Sequence, residues 1–276
     1  VLVTGATGGI GRAAAVAFAG AGADLVLTAR SLPGLERLAA ATGGAVLAAD
    51  LTVPGAVEGL AAAAGDVDVL VANAAVPASG PLADYGAAEL EAAVELNLTA
   101  PIRLVHALLP GMLERARGHL LLVSSLQGLA ATPGAPLYVA TKFALRGFAL
   151  ALRQDLRGTG VGAGVLLPGF VRDAGMFAAS GVRLPPGVGT RSPEQVGAAA
   201  VRAVATGRAE TLVAPLPLAV GSRLAGSFPS LAAGVQGALG ARRLAGAIAA
   251  GQRRSRSQAP DPPAPARPTG RSGPEE

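Results

Sequence analysis

The chain has 276 residues, enough for one large α/β domain or two small ones with a sizeable buried core. It contains no Cys, which excludes disulfides and thiolate catalysis and makes a reducing, cytoplasmic setting the expectation. The net charge of +5 hints at nucleic acid. However, five arginines (Arg253, Arg254, Arg256, Arg267, Arg271) crowd the last 25 residues and aromatics are only 3%, so no nucleic-acid partner is expected.

The N-terminus opens directly on VLVTGATGGIG, without the basic and apolar regions of a signal peptide, although a start on Val rather than Met leaves the true beginning open. No long apolar run lacks charges or breakers, so no transmembrane helix is expected. In chain order, residues 1–4, 24–29, 45–49, 68–73, 119–125 and 162–168 read as strands, and 10–22, 32–42, 54–64, 87–115 and 136–157 as helices. The strands are continuous apolar runs rather than alternating ones, as in strands buried on both faces. Their alternation with helices predicts an α/β fold, a Rossmann-type doubly wound parallel sheet with helices on both faces. Such sheets bind ligands beyond the carboxyl ends of their strands.

The motifs fall at those ends. After the first strand comes TGATGGIG, holding Thr4, Gly5, Thr7, Gly9, Ile10 and Gly11. Glycines there permit a tight turn and let backbone N–H groups approach a pyrophosphate at the following helix. The adjacent Gly8 and Gly9 leave two glycine spacings open. Strand two ends in LTARS, with Arg30 and no acid, which favours NADP(H) over NAD(H), since an Arg accommodates a 2′-phosphate where an acid would bind the 2′-hydroxyl. Only two asparagines occur, Asn73 in VANAA and Asn97 in ELNLT. Asn97 also matches a glycosylation sequon, an accidental match in a helical stretch with no secretory signal.

Ser124 and Ser125 close strand five, and 12 residues separate Ser125 from Tyr138. Lys142, the only lysine, lies four positions after Tyr138 and therefore on the same helical face. A phenol with an ordinary pKa of about 10 is a poor base near neutrality, and a neighbouring cation would lower that value. Arginine's planar fork does not easily deprotonate or fit the space of this compact ammonium, which makes the single lysine intelligible.

Taken together, TGATGGIG, Asp50-Leu51, Asn73-Ala74-Ala75, Asn97, Ser125, Tyr138-x-x-x-Lys142 and Pro168-Gly169 resemble the short-chain dehydrogenase/reductase family, in its order and spacing, over residues 1 to about 214. The resemblance implies a catalytic set of Asn97, Ser125, Tyr138 and Lys142. In it Tyr138 is the general acid/base, Ser125 orients the carbonyl, Asn97 holds a relay water, and Lys142 also meets the nicotinamide ribose. It further implies cofactor contacts from Asp50 and Leu51 near the adenine, from Asn73 and Ala74, and from Pro168, Gly169 and Val171 near the nicotinamide. Two departures stand out. Ala75 replaces a common glycine, and PGFVRD puts Asp173 where a pyrophosphate-binding threonine is common, so that contact is lost or Asp173 points away.

The stretch FVRDAGMFAASGVRLPPGVGTR (170–191) predicts a mobile lid with Met176, Phe177 and Leu184 as its apolar face. Val76, Pro77, Leu126 and Gln127 lie at adjoining strand ends, so Val76, Gln127, Met176 and Phe177 are the substrate-binding candidates. Ser192-Pro193-Glu194 reads as a capped helix start and 210–215 as a further strand. Three units are expected: a catalytic domain over 1–214, a helical extension over 215–251 and a disordered Arg/Pro-rich tail over 252–276. The stretch 216–250 packs on the core in the simplest reading; a pocket cap, a dimer contact and a peripheral membrane contact stay open. His106 and His119 lack metal-ligand spacing, so no metal is expected. The function so implied is hydride transfer between nicotinamide and an apolar alcohol or ketone. The alternatives are a dinucleotide-sensing regulator, which would not need the proton relay, and a nucleotide-sugar epimerase or dehydratase, which the short length and Asn97 disfavour.

Overall fold

A computed structural model describes residues 1–185 and 188–257, with side chains described through Arg254. Seven strands, β1 (Leu2–Thr4), β2 (Val26–Thr28), β3 (Ala45–Val46), β4 (Val69–Ala72), β5 (Gly118–Val123), β6 (Val161–Pro168) and β7 (Glu210–Val213), form one sheet in the order β3-β2-β1-β4-β5-β6-β7. Every pairing is parallel. The order reverses direction at β1 and β4, which opens a crevice at their carboxyl ends.

The helices are α1 (Gly9–Gly20), α2 (Leu32–Thr42), α3 (Ala56–Ala64), α4 (Ala87–Val94), α5 (Ala100–Glu114), α6 (Pro136–Asp155), α7 (Gly175–Ala178), α8 (Pro193–Thr206), α9 (Leu216–Ser227), α10 (Pro229–Ala238) and α11 (Ala241–Ser257). Because successive strand residues point to opposite faces, the apolar runs feed two cores. Leu70, Ala72, Leu120 and Leu122 pack with Val57 and Leu60 of α3, Leu104 and Leu108 of α5, and Leu145 of α6. Val71, Leu121 and Val123 pack on the other face with Ala14 and Phe18 of α1, Leu35 of α2, and Val196 and Ala200 of α8. The predicted start of α8 is present as a capping box: Ser192 Oγ accepts from the Gln195 N–H at 3.3 Å, and Gln195 Oε1 accepts from the Ser192 N–H at 2.9 Å.

Several boundaries differ from the sequence reading. The expected strand over 45–49 has only two paired residues, because β3 lies at the sheet edge and pairs with β2 alone. The expected helix over 87–115 runs from Ala87 to Glu114 but contains a π turn at Glu95–Thr99. That helix is long and apolar enough to cross a membrane by composition, yet its inner face (Leu104, Val105, Leu108, Met112) is buried in the protein's own core. The expected tail boundary at 252 also moves. α11 continues to Ser257, because Gly251 lies against the Ser180 backbone and Gln252 is buried with its amide on the Met176 carbonyl. The rest of the expected tail, 258–276, lies outside the described residues.

Candidate active site

A cleft of about 1560 Å³ lies along the carboxyl ends of the strands. Its floor is the turn between β1 and α1. Gly5 adopts φ 62°, a left-handed conformation that disfavours any side chain. A Cβ on Gly11 would lie 2.1 Å from the Gly5 carbonyl oxygen. The turn is tied to β4 from both sides. Thr4 Oγ1 accepts from the Asn73 and Ala74 N–H groups at 2.9 Å, and Asn73 Nδ2 donates to the carbonyls of Thr4 at 3.0 Å and Gly5 at 3.3 Å. The N-terminus of α1 that follows carries no side-chain cap. At the end of β2, Thr28 lies on the lining of the cleft. Backbone room at the glycines and an uncapped helix end together suit the phosphates of a dinucleotide.

Most of the sequence-predicted cofactor positions come together on this cleft. Gly5, Thr7, Gly9, Ile10, Arg30, Asp50, Leu51, Asn73 and Ala74 line one arm, and Pro168, Gly169 and Val171 the other. Thr4, Gly11 and Asn97 do not line it; they build the wall behind it. Asp50 holds its own turn, with Oδ1 accepting from the Thr52 N–H at 3.0 Å and the Thr52 hydroxyl at 2.7 Å. Asp173 turns out of the cleft at φ 66° and pairs with Arg172 at 3.2 Å, so its carboxylate does not face the phosphate position.

Ser125, two residues beyond β5, caps a short 3₁₀ turn, its Oγ accepting from the Gln127 N–H at 3.2 Å. Across from it, α6 presents Tyr138 and Lys142. The helix is fastened to β5 by two bonds: Ser124 Oγ donates to the Lys142 carbonyl at 2.8 Å, and Lys142 Nζ donates to the Val123 carbonyl at 3.0 Å. Nζ also sits 5.4 Å from the centre of the Tyr138 ring. Burial raises the Tyr138 phenol to about 12, while its hydrogen bond with Ser125 acts in the opposite direction. Burial likewise lowers Lys142 to about 8. Burial is the largest influence on both groups, and Lys142 Nζ rests on the Val123 carbonyl.

Asn97 sits in the π turn, 1% exposed, and both ends of its amide engage Val76: Oδ1 accepts from the N–H at 2.8 Å and Nδ2 donates to the carbonyl at 3.0 Å. Its side chain thus fixes the β4 loop, and its burial also closes the sequon to a glycan. Val76, Gln127, Met176 and Phe177 all line the cleft. Gln127 Nε2 donates to Thr132 Oγ1, and Phe177 stacks on Phe170 with ring centres 4.9 Å apart. The two histidines lie elsewhere: His106 is exposed, and His119 is buried at the opposite end of β5 from Ser125.

The C-terminal helices line the cleft, the pocket-cap alternative that the sequence left open beside simple packing on the core. Leu218, Leu224, Phe228, Leu231, Leu244 and Ile248, from α9, α10 and α11, form the apolar wall of the cleft facing the catalytic groups. The run of Leu and Ala in 216–250 was the available signal, but nothing local in it states which surface it covers.

Three comparisons with known proteins agree with this geometry. The family model "short chain dehydrogenase" matches residues 1–182. The chain is 34% identical over 227 residues to a ketoacyl reductase, HetN, of Nostoc sp., covering 79% of each chain. It is 36% identical over 184 residues to mouse dehydrogenase/reductase SDR family member 7B, covering 62% of this chain and 57% of that one. Among solved structures, a short-chain dehydrogenase from Sphingobium yanoikuyae in complex with NADPH superposes with TM-score 0.71 at 28% identity, over 87% of this chain and 94% of the other.

Proposed function

The chain belongs to the short-chain dehydrogenase family, oxidoreductases of the CH–OH/C=O pair, and within it we propose a reductase that draws on NADPH to reduce an apolar ketone. The observation that carries this reading is the placement of Ser125 and Tyr138 on one cleft, with Lys142 one helical turn beyond: a carbonyl oxygen set between the two hydroxyls can take the phenolic proton.

A bound nicotinamide dinucleotide would supply the hydride, and this chain's residues would manage the oxygen. The substrate carbonyl lies against Ser125 and Tyr138; the Ser125 hydroxyl donates to its oxygen and stabilises the charge that develops there. Tyr138 would give its proton to that oxygen as the carbon is reduced, leaving an alcohol and a phenolate. The Lys142 ammonium, 5.4 Å from the ring centre, favours the phenolate so left. Arg30, exposed just beyond β2 on the lining of the cleft, would meet the 2′-phosphate and so favour NADPH. Met176 and Phe177 with the α9–α11 wall receive the apolar part of the substrate.

Consumption of NADPH with a panel of bulky apolar ketones, against the same panel with NADH, tests this reading. Faster turnover with NADPH supports it. Turnover confined to small polar ketones would sink the substrate class, and nucleotide binding without any turnover would favour a sensor.

A further inference from the structure

Apolar side chains collect on the outside of the C-terminal helices. Leu216, Leu224, Phe228, Leu231, Val235 and Leu239 are each more than half exposed to water. Soluble surfaces usually scatter such residues singly, and a cluster of this kind marks an interaction site. All of them except Leu216 also line the cleft, so the cluster is the rim of the cleft's mouth.

The helices that carry that rim hold charge of one sign. From Thr211 to Pro260 the sequence has no Asp or Glu, while Arg223, Arg242, Arg243, Arg253 and Arg254 fall within it. Arg223 and Arg253 answer Glu210 at 3.5 Å and Asp84 at 3.6 Å. Arg242 and Arg243, at the start of α11 and next to Leu239, are exposed and make no ion pair among the described residues. An apolar helical face edged by cations is the pattern of a segment lying in the boundary layer of an anionic bilayer.

We propose that the rim formed by α9 and α10 docks on an anionic lipid surface, with Leu231 and Leu239 among the acyl chains and Arg242 and Arg243 on the lipid phosphates. The cleft mouth then faces the bilayer, and an apolar substrate enters without crossing water. A second copy of the chain suits the same face less well, because both copies would bring Arg242 and Arg243 to one interface with no Asp or Glu between 211 and 260 to answer them. The docking claim stands apart from the redox reading, since it is measured without turnover.

Sedimentation of the full chain with vesicles of phosphatidylcholine alone, or of phosphatidylcholine mixed with phosphatidylglycerol, tests it. The expected result is binding at least ~tenfold tighter to the mixed vesicles, weakened by salt. Leu231→Asp/Leu239→Asp and Arg242→Glu/Arg243→Glu should each reduce it by at least ~tenfold with unchanged circular dichroism. No binding, or equal binding to both vesicles, overturns the proposal. So does undiminished binding of the leucine variant, which would place the contact in the Arg-rich tail. A dimer in light scattering that the leucine variant splits assigns the face to a second copy and overturns it as well.

Discussion

Both ends of the Asn97 amide are bonded to one residue, accepting from the Val76 N–H at 2.8 Å and donating to its carbonyl at 3.0 Å. The π turn at Glu95–Thr99 is thereby locked to the loop that follows β4 and carries Asn73 to Val76 into the cleft. Asn97→Leu leaves both Val76 groups without their partners. We expect a loss of roughly 2 kcal/mol in urea unfolding, with a raised KM for the nucleotide. Unchanged stability would mean that the loop is held elsewhere.

Gly11 is the tightest position of the phosphate turn. An added Cβ would meet the Gly5 carbonyl oxygen at 2.1 Å and Asn73 Nδ2 at 2.8 Å. Gly11→Ala should therefore push the turn off β4 and abolish NADPH binding in a fluorescence titration. Gly59→Ala, with open space around its Cβ position, is the control that should bind normally.

Arg30 is exposed at the end of β2, where the 2′-phosphate discriminates the two nucleotides. Arg30→Asp is expected to invert the preference, weakening NADPH by at least ~tenfold while sparing NADH. Equal loss of both would show that Arg30 supports the loop rather than reading the phosphate.

The site's outline was legible in the sequence because its elements are local. A glycine turn follows a strand, Tyr138 and Lys142 share a helical face, and Ser125 closes a strand, so order and spacing suffice to place them. Three things were not legible. That Lys142 Nζ would bond the Val123 carbonyl depends on how α6 lies on β5, a tertiary relation that YVATK does not contain. Thr4 and Asn97 were read as site residues but bond backbone behind the cleft: which way a hydroxyl at a strand end or an amide in a helix points is set by the elements packed against it. The wall from α9 to α11 depends on contacts as remote as Gln252 with Met176, which no local pattern encodes.

His119 sets an acid limit on stability. Burial first, and then Arg153, lower it to about 4. The folded protein therefore holds this imidazole neutral well below the pH at which the unfolded chain takes up a proton. Stability associated with the neutral ring is fully present above pH ~6.5 and is lost as pH falls toward about 4, by on the order of 3 kcal/mol. His119→Leu should flatten the pH dependence of the unfolding free energy over that range. An equally steep profile in the variant would assign the acid sensitivity to other groups.

Tyr138→Phe tests the central claim most directly, because it removes the phenolic proton and leaves the ring beneath Lys142. With NADPH and a ketone turned over by the wild type, the account predicts a kcat lower by about 10²- to 10⁴-fold, with NADPH affinity and thermal stability unchanged. A variant that keeps most of its kcat would contradict the assignment of Tyr138 as the proton donor.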